Sequence, residues 1–211
     1  MPQKKSPPSK RPYSLGKRLE SSHTKRAKIL ATAREQLVSG GFTGLTLDAL
    51  ARESGVTRQT IHNLFGTKSG VLESLFDQLA LDAGMEGMRA VMQQSDPALM
   101  LTSFVSIFTG FWLKDRPLIR RIHGLAAVDP DFGAAVEARN KRRKMAAARV
   151  IQQIQKQTAA SESAGQTQSA PALYALTSFE FFDSLAEACG NPTEAAELTL
   201  ALAKQTFVPR P

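Results

Sequence analysis

The chain has 211 residues, 42% of them hydrophobic and 22% charged, with a net charge of +8 and a single cysteine, Cys189. That length fits one domain of ordinary size plus a small one with apolar mass enough for a core, and one cysteine excludes an internal disulfide and any cysteine-based zinc site. The excess charge is N-terminal: residues 1–70 hold 13 Lys and Arg against 4 Asp and Glu, whereas residues 71–211 hold 14 against 15, the single-sign field with which a polyanion-binding module releases counterions from phosphates.

Residues 1–22 carry four prolines and six basic residues with few large apolar side chains, a composition that predicts a flexible basic arm. Its Lys4, Lys5, Lys10 and Arg11 suit either tracking a minor groove or solubilising the chain, and no apolar stretch follows them as in a secretory signal. From Thr24, apolar residues recur at helical spacing (Ile29, Leu30, Ala33, Leu37, Val38) as far as Gly40 and Gly41, which predicts a helix of about four turns. Thr46–Ser54 and Thr57–Phe65 predict two short helices around Gly55, a glycine suited to a turn of positive φ, with Thr57 placed to cap the second. Thr67 and Lys68 open a longer helix through Leu72, Leu75, Phe76 and Leu79 towards Gln94. Beyond Pro97 only helical patterns follow, over 97–114, 117–127, 131–157, 171–189 and 193–206, with proline placed where several of them begin. Residues 158–170 lack any large apolar side chain and predict a mobile loop. The apolar run Ser103–Leu113 is too short to span a bilayer.

Residues 46–72 hold the parts of a helix-turn-helix: two short amphipathic helices, a glycine turn and inward apolar residues. With Val56, Ile61 and Phe65 packing inward, the face that projects carries Thr57, Arg58, Gln59, His62 and Asn63. Arg grips guanine bidentately and Gln or Asn does the same to adenine, so this face suits base edges in a major groove. Lys68, at the start of the next helix, adds charge and a helix dipole against a phosphate. Gly40, Gly41, Phe42 and Thr43, then Thr46, Leu50, Ala51, Gly55, Val56, Thr57, Thr60, Ile61, Phe65 and Lys68, follow in order the pattern of the tetracycline-repressor (TetR) family of bacterial regulators, which the sequence resembles over residues 24–76. Departures are His62 where that family usually has Tyr, Gln59 where Gly is common, and Leu64 where a polar or aromatic residue is usual. The resemblance implies DNA contact by Thr46, Thr57, Arg58, Gln59, Thr60, His62, Asn63 and Lys68. It also implies an all-α fold: an N-terminal three-helix helix-turn-helix domain (23–70) after the arm (1–22), then a larger helical effector-binding and dimerisation domain (71–211).

In that second domain, Phe104, Ile107, Phe108, Phe111 and Trp112 form an aromatic stripe that suits either plain core or the wall of a pocket. The resemblance implies an effector pocket, with Phe104, Phe108, Phe111, Trp112, Arg120 and His123 as candidates. Cationic groups (Arg120, Arg121, His123) beside aromatic walls would suit an apolar or aromatic ligand bearing an anionic group. Lys141, Arg142, Arg143 and Lys144 wrap around their helix and predict a solvated face. The last two helices carry more apolar surface than one short pair hides, and the resemblance makes them a dimer interface with Leu176, Phe179, Phe182, Leu198 and Leu202.

The expected function is therefore a sequence-specific transcriptional regulator, a ligand-responsive repressor binding an inverted-repeat operator as a homodimer, with the rod Lys68–Gln94 as its lever. Its expected partners are double-stranded operator DNA, a second copy and a small-molecule effector, with no membrane, in a bacterial cytoplasm at the nucleoid. The alternative is a DNA-binding accessory protein of the same fold acting through a protein partner. His23, His62 and His123 are scattered without nucleophile or metal-ligand spacing, so catalysis, a cofactor and a metal are not expected.

Overall fold

The computed structural model describes residues 15–157 and 166–207. Within them the chain forms α1 (Leu15–Gly44), α2 (Leu47–Ser54), α3 (Arg58–Phe65), α4 (Lys68–Asp82), a 3₁₀ turn (Met85–Gly87), α5 (Met88–Val91), α6 (Pro97–Lys114), α7 (Arg116–Val128), α8 (Pro130–Gln157), α9 (Gln166–Leu176), α10 (Phe179–Cys189) and α11 (Pro192–Phe207). No strand occurs among the described residues. The basic residues Lys4 to Arg11 and most of the expected 158–170 loop lie outside the described residues.

Three elements differ from the sequence expectation. α1 begins at Leu15, inside the expected arm, and runs through Gly40 and Gly41 to Gly44. Glycine lowers helix propensity by about 1 kcal/mol without by itself ending a helix, and Gly40 is not among the glycines at positive φ, which are Gly55, Gly66, Gly84 and Gly190. The expected rod to Gln94 breaks at Gly84 (φ 73°), where the inward stripe Leu72, Leu75, Phe76, Leu79 has ended and Leu81 is exposed. The expected 171–189 helix is two: α9 already covers 166–170, and Ser178 caps α10 by accepting the Phe181 N–H at 3.1 Å.

α6 is the central element, packed on α11, α8, α5, α4, α10 and α7. The run Ser103–Leu113 lies within α6, which as a whole is long and apolar enough to cross a membrane by length and composition. Here its apolar face is the core instead: Met100, Leu101, Phe104, Val105, Phe108, Phe111 and Trp112 are all buried. Asp96 caps it, one oxygen accepting the Ala98 and Leu99 N–H groups, and Pro97 takes the first position, where no N–H is needed. Aromatic edges lock the stripe: Phe104 on Phe108 (5.1 Å between centroids), Phe111 on Trp112 (4.7 Å) and Phe76 of α4 on Phe111 (5.4 Å). The break between α9 and α10 frees the Thr177 carbonyl, which accepts the buried Trp112 indole N–H at 3.1 Å.

Candidate nucleic-acid interface and internal cavity

Three threonines set the head. Thr46, Thr57 and Thr67 have extended backbones, and each side chain accepts the N–H three residues on, from Ala49, Thr60 and Gly70, so α2, α3 and α4 all begin at a cap. Gly55 (φ 67°) ends α2 in the left-handed region that a side chain resists, so α3 crosses α2 after a turn of three residues. Ile61 is buried at 1% exposure and Leu50 likewise, which fixes the roll of α3. Thr57, Arg58, Gln59, His62 and Asn63 then lie exposed on one side, with Thr60 half-buried beside them and Lys68 half-buried at the start of α4. Thr46, also exposed, stands at the cap of α2. The outward row is tied along itself: Gln59 donates to Asn63 at 2.8 Å, and Arg58 pairs with Asp48 of α2 at 3.2 Å. Both partners of that pair are mostly exposed, so it is weak and exchangeable.

The head is bolted to the rest through α1. Arg26 donates to the Leu64 carbonyl and to Ser74 Oγ, with its guanidinium 4.6 Å from the Phe65 ring centroid, joining α1 to the end of α3 and to α4. Gln36 donates to Glu53 at 2.7 Å, the main cause holding the Glu53 carboxyl below its ordinary pKa. Arg34 Nε pairs with Asp115 Oδ2 at 2.6 Å, while the other oxygen of Asp115 caps α7 at Leu118. Sequence reasoning missed Gly70: a Cβ there would lie 2.0 Å from the Phe65 carbonyl oxygen, so α3 and α4 approach as only glycine permits.

A cavity of about 320 Å³ opens between α4, α6, α7 and α8, a volume at the lower end of small-molecule sites. It is lined by Phe76, Asp77, Ala80, Met85, Met88, Phe108, Trp112, His123, Val136, Arg139, Asn140, Arg142, Arg143 and Ala146. Of the six residues expected to line a pocket, Phe108, Trp112 and His123 meet here. Phe104 and Phe111 are spent in the core, and Arg120 points elsewhere: with Arg116 it holds Asp183 and Glu187 of α10. Burial raises the Asp183 pKa, but hydrogen bonds from both arginines outweigh it and leave the carboxyl below its ordinary value. His123 meets Trp112 edge to face and Phe179 at a tilt, and its Nδ1 meets Glu180 at 2.8 Å. That hydrogen bond, opposed by partial burial, holds the Glu180 pKa down to about 2.

The basic run on α8 is a solvated face at three of its four positions: Lys141, Arg142 and Lys144 are exposed, Arg142 at the rim of the cavity, whereas Arg143 is buried at 7% exposure. Helical phase carried this signal: Phe132, Val136, Arg139, Arg143, Ala147, Val150 and Ile154 fall three or four apart on one stripe, and Arg143 sits in the middle of it. Of the expected interface residues, Phe179 and Phe182 are buried within this chain's own core, which leaves them no partner-facing surface; Leu176 is half-buried, and Leu198 and Leu202 are each 39% exposed on α11.

A capped pair of crossing helices with an outward polar row, set on a helical body with an open cavity, is the architecture of a helix-turn-helix. Residues 29–75 match the family described as bacterial regulatory proteins, tetR family. Over 90 residues the chain is 33% identical to the HTH-type transcriptional regulator EthR of Mycolicibacterium smegmatis, a match covering 42% of this chain and 41% of that one, about two fifths of the relative's length. Two solved structures share the fold at low identity. A TetR transcription regulator from Haloarcula marismortui superposes with a TM-score of 0.67 at 15% identity, over 88% of this chain and 97% of that one. NalD, the secondary repressor of the MexAB-OprM multidrug efflux pump in Pseudomonas aeruginosa, gives 0.69 at 18%, over 89% and 98%. Residues 29–75 are thus similar to the N-terminal segment of the tetR family, and the described residues share the fold of these solved structures.

Proposed function

We propose that this protein is a sequence-specific DNA-binding transcriptional regulator, a ligand-responsive repressor that docks as a homodimer on an inverted-repeat operator in the bacterial cytoplasm. The observation that carries the reading is the outward row Thr57, Arg58, Gln59, His62 and Asn63 on α3, in the third of the sequence that holds all the excess positive charge. In this reading Arg58, Gln59 and Asn63 read base edges, Thr46, Thr57, Thr60 and His62 touch backbone phosphates, and Lys68 offers charge beside the first turn of α4. Leu198 and Leu202 form the centre of the dimer face, and the cavity beneath α4 admits an apolar or aromatic effector that favours a spacing of the two heads unfit for the groove.

Genome-wide mapping of bound DNA, followed by titration of one bound site at several salt concentrations, tests this. Arg58→Ala should relax preference at one base pair and cost about 1–3 kcal/mol at the best site, whereas Lys68→Ala should weaken all sites alike and reduce the salt slope by about 1. A few inverted repeats are the expected outcome. Occupancy of many scattered sites would favour an accessory DNA-binding role, and no duplex binding at low salt would end the proposal.

A further inference from the structure

We infer that the cavity takes a small, largely apolar molecule carrying one anionic group, with Arg143 as the counter-charge at its wall and Arg142 beside it. The inference deepens the ligand-responsive reading above and rests on it. Its basis is a charge balance among the lining groups. Arg139 is tied to Asp77 and faces Glu73 at 3.8 Å, so that cation is answered. His123 is answered by Glu180. Arg143 is not: Nη1 donates to the Tyr174 carbonyl and to Thr177 Oγ1, Nη2 reaches Asn140 Oδ1 only at 3.4 Å, and no carboxylate lies within ion-pair distance of it among the described residues. All three acceptors are neutral, and burial pushes the Arg143 pKa down even with Glu180 nearby. A buried guanidinium held by neutral oxygens beside an open cavity is the arrangement a ligand carboxylate completes.

The aromatic walls do not point to a cationic ligand instead. Arg139 already lies over Phe76 at 5.2 Å and Arg143 near Phe108 at 5.8 Å, so two of the faces that would attract an ammonium group are held by the protein's own cations, and a third arginine stands beside them. Met85 and Met88, on the hook after Gly84, supply an adaptable apolar wall.

The test is calorimetric titration of the full chain, without DNA, using phenylpropionate, indole-acetate and decanoate, each beside its neutral amide, with phenylpropylammonium as the cationic probe. At least one carboxylate should bind, tighter than its amide by about tenfold or more, and the ammonium should bind more weakly than either. In Arg143→Met the carboxylate should lose that advantage while amide binding survives, and Arg143→Lys should restore part of it. Arg143 also ties α8 to α9, so circular dichroism accompanies each variant; if the methionine variant does not fold, the wild-type ranking decides alone. Equal binding of acid and amide, preference for the ammonium, or no binding by any of the three carboxylates overturns the inference. None of these readouts involves DNA, so a protein that binds the acids but no operator contradicts the regulatory reading and leaves the ligand class standing.

Discussion

Glu180, at the start of α10, keeps its carboxylate on His123 Nδ1, and that contact lowers its pKa from 4.5 to about 2. A carboxyl whose folded pKa is depressed stabilises the fold fully above its unfolded value and loses that contribution as pH falls through the folded one. The melting temperature of the wild type should therefore exceed that of Glu180→Gln at pH 5 to 6, and the gap should close as the pH is lowered from about 4.5 to about 2. A gap that stays constant across that range contradicts the assignment; Asp183 and Glu187, also depressed, are common to both proteins and cancel in the difference. His123, Phe108 and Trp112 were legible as neighbours around one cavity because one aromatic stripe and a histidine on the next helix point at the same space. Arg143 was not, since a run of four charges hides which one falls on the apolar stripe until the phase of the whole helix is taken.

The caps at Thr46, Thr57 and Thr67 and the left-handed turn at Gly55 made α2 and α3 legible almost to the residue, because local hydrogen bonds decide those boundaries. The breaks at Gly84 and at Thr177–Ser178 were harder, since a left-handed glycine inside one apolar segment and a serine cap inside another are what mark them. Close approach between elements is invisible to periodicity altogether, and Gly70 is the case in point. Gly70→Ala would place a methyl against the Phe65 carbonyl, forcing the first turn of α4 away from α3. The expected result is a loss of about 1–3 kcal/mol in urea unfolding, with weaker operator binding because Lys68 moves with that turn. A variant as stable as the wild type would show that the two helices separate freely.

Along α11, Leu198 and Leu202 stand one helical turn apart, each 39% exposed. Leu198→Glu with Leu202→Glu should give a monomer by sedimentation at concentrations where the parent is dimeric, together with a loss of operator affinity, since two linked half-site contacts become one. Retention of the dimer would move the interface elsewhere. The apolar character of the last helices was readable in the sequence; how it divides was not, because Phe179 packs on Trp112 and His123 and Phe182 is fully buried within the same chain. Asp115 joins these scales. One of its carboxylate oxygens begins α7, the helix that carries His123 to the cavity, and the other holds Arg34 on the lead helix of the head. Asp115 is thus one joint, within the wider packing of α1 on α7 and α4, through which a swing of α7 about its first turn would carry over to α1.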